Sequence, residues 1–186
     1  MIKAGALSKG MFISLKNEPY LVAEREFVNP GKGSAFVRLK LKNLKTGLVI
    51  RQVIKSQDSV EDINVETKDG QYLYSDGENF IFMDSETYEQ FHIPISSMED
   101  KKPYLKEGET FQLVMWDGEP IDIKLPYKMV FKVIEAENAA KGDTVTGATK
   151  NVTIETGHRI KVPIFIKEGD RILVNTETGE YVERVN

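Results

Sequence analysis

Three observations predict an all-β protein built as three small barrels. Short runs of alternating apolar and polar residues recur along the 186-residue chain, separated by Gly, Pro, Asn and Asp, and no stretch carries a convincing helical period. The charge is divided: residues 1–63 carry +5 and residues 64–186 carry −9, so the net −4 hides a basic first unit on an acidic remainder. Finally, Ile121-Asp122-Ile123-Lys124-Leu125-Pro126 is echoed by His158-Arg159-Ile160-Lys161-Val162-Pro163, each soon after a glycine, Gly118 and Gly157. A repeat of that kind fits two copies of one barrel type.

The first unit, residues 1–63, reads as about five short strands closing a small barrel. Leu7 to Phe12 enters through Gly10, and Met11–Leu15 and Tyr20–Val28 flank a turn expected at Asn17-Glu18-Pro19. From Ala35 to Leu41 the strand alternates, with Val37, Leu39 and Leu41 on one face and Arg38, Lys40 and Lys42 on the other. Thr46-Gly47 turns the chain into Leu48–Lys55. Between two of these strands lies Asn29-Pro30-Gly31-Lys32-Gly33-Ser34. Pro30 fixes φ, while Gly31 and Gly33 admit positive φ on either side of Lys32. That chemistry builds a tight projecting tip whose one long side chain is a cation, with no acid within three residues of it. A cationic face with such a tip attracts polyanions, whereas the acidic remainder opposes general adhesion to them.

The second unit, residues 64–127, holds two Asp-Gly hairpins, at Asp76-Gly77 and Asp117-Gly118. A single helical turn is expected within Ile95–Tyr104, stopped by Pro103. Tyr72, Tyr74, Phe80, Phe82 and Trp116 suit either a base-stacking platform or a core. A unit this small needs them for its core, and core is the expectation. The third unit, residues 128–186, opens with a strand at Val130–Ala136. A Gly-, Thr- and Lys-rich loop follows, containing Gly142, Asp143 and Thr144, and then strands at Val152–Glu155, Arg159–Ile166, Arg171–Val174 and Tyr181–Val185. Pro163 marks an edge or a bulge.

Several chemistries find no support. There is no cysteine, hence no disulfide, thiolate nucleophile or thiolate-bound metal. His92 and His158 have no serine or carboxylate partner at a motif spacing. Gly31-Lys32-Gly33 is not a phosphate-binding loop, because residue 26 is Glu where the first glycine would fall, Gly33 stands where the hydroxyl residue would follow the lysine, and no helix follows. No cofactor or metal is expected. Neither a signal peptide nor a bilayer-spanning run is apparent, so a cytoplasmic protein without membrane contact is expected.

Pro30-Gly31-Lys32-Gly33-Ser34-Ala35-Phe36, together with Lys150-x-Val152-x4-Gly157-x2-Ile160-x-Val162-Pro163-x2-Ile166-x2-Gly169, resembles the bacterial translation elongation factor P family. The resemblance covers the whole chain, down to the Gly-Glu-Tyr-Val ending at Gly179–Val182. It implies an SH3-like (KOW-type) barrel followed by two OB-type barrels, in an L-shaped, tRNA-like arrangement. It also implies a monomer that binds the 70S ribosome between the P and E sites, beside P-site peptidyl-tRNA, and relieves stalling at consecutive prolines. Lys32 then occupies the tip directed at the CCA end, a position that family members commonly modify, so a lysine-modifying enzyme is an implied partner. The Gly142-Asp143-Thr144 loop lies near the E-site message, and Arg38, Lys40 and Lys42 meet RNA phosphate. Two other classes are distinguishable. A general RNA-binding module would bind many RNAs alike. An enzyme using Lys32 covalently would need a lysine depressed by burial or cationic crowding.

Overall fold

A computed structural model describes residues 1–138 and 147–186. These form sixteen strands and three single-turn 3-10 helices, with no α-helix among the described residues. The first sheet comprises β1 (Ile2–Lys3), β2 (Phe12–Leu15), β3 (Glu18–Val28), β4 (Phe36–Asn43), β5 (Val49–Lys55) and β6 (Ser59–Asp62), in the order β1-β6-β2-β3-β4-β5. It curls around Leu7, Ile13, Val22, Val37, Leu39, Leu41 and Val60. The alternation read on β4 holds: Val37, Leu39 and Leu41 are buried and Arg38 is exposed. The turn into β3 lies earlier than expected. Leu15 faces Glu18, and Lys16 and Asn17 form the turn with φ of 51° and 63°. Two successive positive φ values give the hairpin turn whose twist matches its strands, and Pro19 stands inside β3.

The second sheet has β7 (Glu66–Ser75), β8 (Asn79–Asp84), β9 (Gln90–Pro94), β10 (Thr110–Trp116) and β11 (Glu119–Lys124), ordered β11-β10-β7-β8-β9. The third has β12 (Lys128–Ala136), β13 (Thr149–Ile154), β14 (Arg159–Pro163), β15 (Arg171–Asn175) and β16 (Tyr181–Val185), ordered β14-β13-β12-β15-β16. Numbered within its own sheet, each runs 5-4-1-2-3, and in each the two edge strands come back against one another. That is one barrel plan used twice, the OB-type plan. The sequence echo that suggested it nevertheless joins non-equivalent strands, because β11 is the fifth strand of its barrel and β14 the third. Pro163 does lie on an edge strand.

Tyr72, Phe80 and Phe82 are buried, with Tyr72 edge-on to Phe80 at 6.0 Å and Phe82 edge-on to Phe111 at 6.4 Å. They are core and not a stacking platform. Tyr74 remains half exposed. Trp116 packs with Phe12, Leu21, Leu44, Val65, Val114 and Ile121 in a cluster that joins the first and second sheets.

The chain separates into two compact units, Met1–Glu99 with Thr110–Lys124, and Asp100–Glu109 with Leu125–Asn186. The expected single helical turn is two 3-10 turns, Ile95–Ser97 and Lys102–Tyr104, and Pro103 sits within the second without ending it. Proline lacks only an N–H that the first residues of a helical turn do not use. In the second unit Tyr104 is buried against Phe131 and His158, with ring centroids at 6.3 and 6.1 Å. The Thr156 hydroxyl donates to the Pro103 carbonyl at 2.6 Å, and Lys106 pairs with Glu155 at 3.1 Å. Residues 100–109 thus complete the core of the unit that contains the third sheet.

One hairpin design recurs, once in each sheet: Asn43–Leu48, Asp84–Glu89 and Asn175–Glu180. The first residue's side-chain oxygen accepts the N–H groups two and three residues on. The threonine three residues on accepts the N–H of the sixth residue. The fifth residue has positive φ: Gly47 at 78°, Tyr88 at 62°, Gly179 at 77°. The backbone N–H groups of Glu86 and Thr87 hold the Asp84 carboxyl below the usual carboxylate range; burial opposes this, and Lys68, 3.5 Å away, assists it. A depressed carboxylate stabilises the fold above its unfolded pKa of about 3.9, and that stability is lost as pH falls through the lower folded value. Asn43 and Asn175 do the same work without charge. Asp84→Asn is therefore expected to keep the hairpin and to flatten the acid limb of stability measured by denaturant unfolding against pH. An unchanged acid limb would contradict the assignment.

Candidate functional site

The ladder between β3 and β4 ends at Val28 opposite Phe36, so residues 29–35 form the projecting loop. Its base is closed on the other side by the Ser56 N–H donating to the Ala35 carbonyl at 2.9 Å. Gly31 and Gly33 have φ of 75° and 96°. A Cβ at either position would meet nothing within 4 Å, so glycine serves the dihedral angle there and not a tight space. Pro30 through Ser34 are exposed. Lys32 makes no hydrogen bond or ion pair with the described residues. The positive φ values at Gly31 and Gly33 are those the sequence predicts, and the Lys32 ammonium has no partner among the described residues.

Behind the tip, Arg38, Lys40 and Lys42 share the outer face of β4, where Arg38 is exposed and Lys40 and Lys42 are half-buried. They do not stand as a bare cationic row. Arg38 lies 3.6 Å from Glu26 and Lys40 lies 3.2 Å from Glu24, both across the β3–β4 ladder. The Arg38 guanidinium also sits over the Phe36 ring at 5.5 Å. The sequence identified the cations, but their carboxylate partners depend on register: a slip between Val22 and Glu24 sets Glu24 opposite Lys40 and Glu26 opposite Arg38. Exposed pairs of this kind are worth about 0–1 kcal/mol, so the two carboxylates hold these cations only weakly. On the opposite face, Arg25 donates to the Gly5 carbonyl at 2.8 Å and lies over Phe27 at 5.6 Å, which ties the loop's base to the N-terminal 3-10 turn Ala4–Ala6. Gly142, Asp143 and Thr144 lie outside the described residues. Among the described residues, no group of His, Asp or Glu is placed to hold a metal ion.

Three family models match consecutive parts of the chain: the Elongation factor P (EF-P) KOW-like domain over residues 3–60, the Elongation factor P (EF-P) OB domain over 65–123, and Elongation factor P, C-terminal, over 129–184. Elongation factor P of Treponema denticola is 53% identical over 186 residues, covering all of both chains. The chain belongs to the elongation factor P family. Elongation factor P of Borrelia hermsii is likewise 53% identical over 187 residues, with 99% of this chain and 97% of that one covered. Among solved structures, eukaryotic translation initiation factor 5A from Methanococcus jannaschii matches 66% of this chain and 90% of its own, with a TM-score of 0.51 and 22% identity, a likeness of fold. The family fixes the coarse function: the chain is a translation elongation factor and not an enzyme. No helix among the described residues is long and apolar enough to cross a membrane.

Proposed function

We propose that this chain acts in the cytoplasm as a monomer on the 70S ribosome, between the P and E sites beside peptidyl-tRNA. There it promotes peptide-bond formation at consecutive prolines. Lys32 reaches toward the CCA end, Arg38, Lys40 and Lys42 contact phosphate on the tRNA, and Gly142, Asp143 and Thr144 meet the E-site message. A lysine-modifying enzyme extends Lys32. The working domains are 1–63, 64–127 and 128–186, with residues 100–109 packed into the core of the last.

The observation that carries this reading is the exposed, glycine-framed Lys32 in a chain of this family. Covalent catalysis by a lysine needs burial or crowding by other cations, and this tip offers neither among its described neighbours. What it offers is a compact cation on a flexible stem, suited to hold a phosphate backbone in place. Proline is a poor nucleophile whose rigid ring lets the reacting ends drift from attack geometry. Fixing reactants lowers a barrier by up to roughly 7–11 kcal/mol in ideal cases, and only a small part of that is needed here.

The test is a reconstituted translation system programmed with matched messages, with and without a run of proline codons. Adding the protein is expected to raise the rate at the proline run alone. Equal acceleration on both messages, or none on either, would overturn the reading.

A further inference from the structure

We propose that the open edge of β5 is a docking strand for an extended acidic segment of a partner protein, bound by strand addition. No described strand pairs with β5 on the side away from β4. The register fixes which backbone groups face that side. Ser56 donates to Ala35 and Asn43 donates to Leu48, so the pairs bonded to β4 are those in phase with Ala35–Ser56 and Asn43–Leu48. Hydrogen-bonded and non-bonded pairs alternate along an antiparallel ladder. Val49, Arg51 and Val53, opposite Lys42, Lys40 and Arg38, therefore direct their N–H and C=O groups outward.

The same residues present their side chains to solvent. Val49 and Val53 are 51% and 64% exposed, and Arg51 is exposed. The outer row reads Val49, Arg51, Val53, Lys55, apolar and cationic in turn. Arg38 and Lys40 have Glu26 and Glu24 as partners, but neither Arg51 nor Lys55 forms an ion pair with a described residue. Arg51 also stands directly opposite Lys40, a like-charge juxtaposition that is unfavourable on a sheet face. The complement to this row is an added strand whose residues on that face, every second position, alternate between an acid and an aliphatic side chain, its backbone completing the open ladder. A second copy of this chain does not fit, because pairing β5 with β5 supplies no acid to the row and sets cations against cations or valines.

The experiment uses the full-length chain and a synthetic peptide in which threonines alternate with residues running Glu, Val, Glu, Val. Binding is followed by calorimetry and by amide hydrogen exchange. The expected result is saturable binding with at least about tenfold protection of the Val49, Arg51 and Val53 amides, and at least about tenfold weaker binding to the peptide with lysine for glutamate. Val53→Pro removes one outward N–H at a position where an edge strand tolerates proline. It is expected to leave unfolding unchanged and to weaken peptide binding about tenfold. Arg51→Glu is expected to weaken it as much. The proposal is overturned by no binding, or by binding without protection of those amides, which would mean attraction by charge alone. Protection of the same amides by an RNA hairpin and not by the peptide, or by self-association at rising protein concentration, would equally overturn it.

Discussion

Lys32→Ala is expected to lose about tenfold or more of the rate at a proline run, an increase of about 1.4 kcal/mol in the barrier, with no change in unfolding. The two halves of this expectation rest on different facts. Lys32 is exposed and has no described partner, so its removal leaves the fold's contacts intact, and surface changes of that kind fall within about ±0.5 kcal/mol. The functional half follows from position: Lys32 is an exposed cation between Gly31 and Gly33, at the midpoint of the loop 29–35. Lys32→Arg keeps the charge but replaces a compact ammonium with a planar fork, and it would also block a lysine-specific modification. Partial activity is therefore expected from Lys32→Arg and near-background activity from Lys32→Ala. Full activity in Lys32→Ala, measured in the reconstituted system with protein purified from its own cell, would remove the tip from the mechanism.

Gly47→Ala is expected to destabilise the first unit by about 2–5 kcal/mol, from about 1–2 kcal/mol of left-handed backbone strain and about 1–3 kcal/mol of overpacking. A Cβ at Gly47 would lie 1.9 Å from the Ser96 carbonyl oxygen and 2.9 Å from its carbon. Those are backbone atoms, and the segment that holds them is fixed: the Ser97 hydroxyl donates to the Pro94 carbonyl at 2.8 Å, Met98 is buried, and Ile95 donates to Glu78 at 2.9 Å. Gly47 ends the β4 hairpin of the first sheet, and Ser96 follows β9 of the second. At this glycine the first hairpin lies against backbone of the segment after β9, and the same hairpin carries Leu44 into the cluster with Val114 and Ile121. The sister hairpins supply the controls. At Gly179 a Cβ would meet one side-chain atom, the Tyr104 hydroxyl at 3.1 Å, and no backbone, so Gly179→Ala is expected to cost mainly the φ strain, about 1–2 kcal/mol, with a shift of that hydroxyl by a few tenths of an ångström. The third equivalent position already holds Tyr88, 71% exposed. If denaturant unfolding gave Gly47→Ala and Gly179→Ala the same cost, the close approach at Ser96 would not matter to stability.

These hairpins also show what could be read in the sequence and what could not. The Lys32 tip was legible because Pro30, Gly31 and Gly33 constrain their own dihedral angles, whatever surrounds them. The Asp76-Gly77 and Asp117-Gly118 turns were legible for the same reason. The Lys16-Asn17 turn was not: it uses positive φ without glycine, and Pro19 drew the expected turn downstream to Asn17-Glu18-Pro19. The repeat was legible in outcome but not in detail. Two-residue alternation records which face a residue takes, not which place its strand holds in the sheet, so β11 and β14 looked alike while filling different positions. The recurrence of Asn or Asp followed three residues later by Thr, at Asn43, Asp84 and Asn175, was visible in the sequence and passed unread. The carboxylates opposite Arg38 and Lys40 needed a register that only the Ala23 bulge sets. Nor did local pattern show that residues 100–109 build the core around Phe131, since Tyr104 finds its partners across the fold.

The most direct test of the tip's destination is chemical probing from beside it. The chain has no cysteine, so Ser34→Cys provides a single attachment point on the exposed loop with Lys32 left in place. An iron chelate tethered there would generate hydroxyl radicals on ribosomes paused at consecutive prolines. Strand scission concentrated at the CCA end of the P-site tRNA, and absent when the chelate is moved to Ser85→Cys, is the result expected if Lys32 steadies the reacting ends. Scission elsewhere on the ribosome with the CCA end untouched would contradict it.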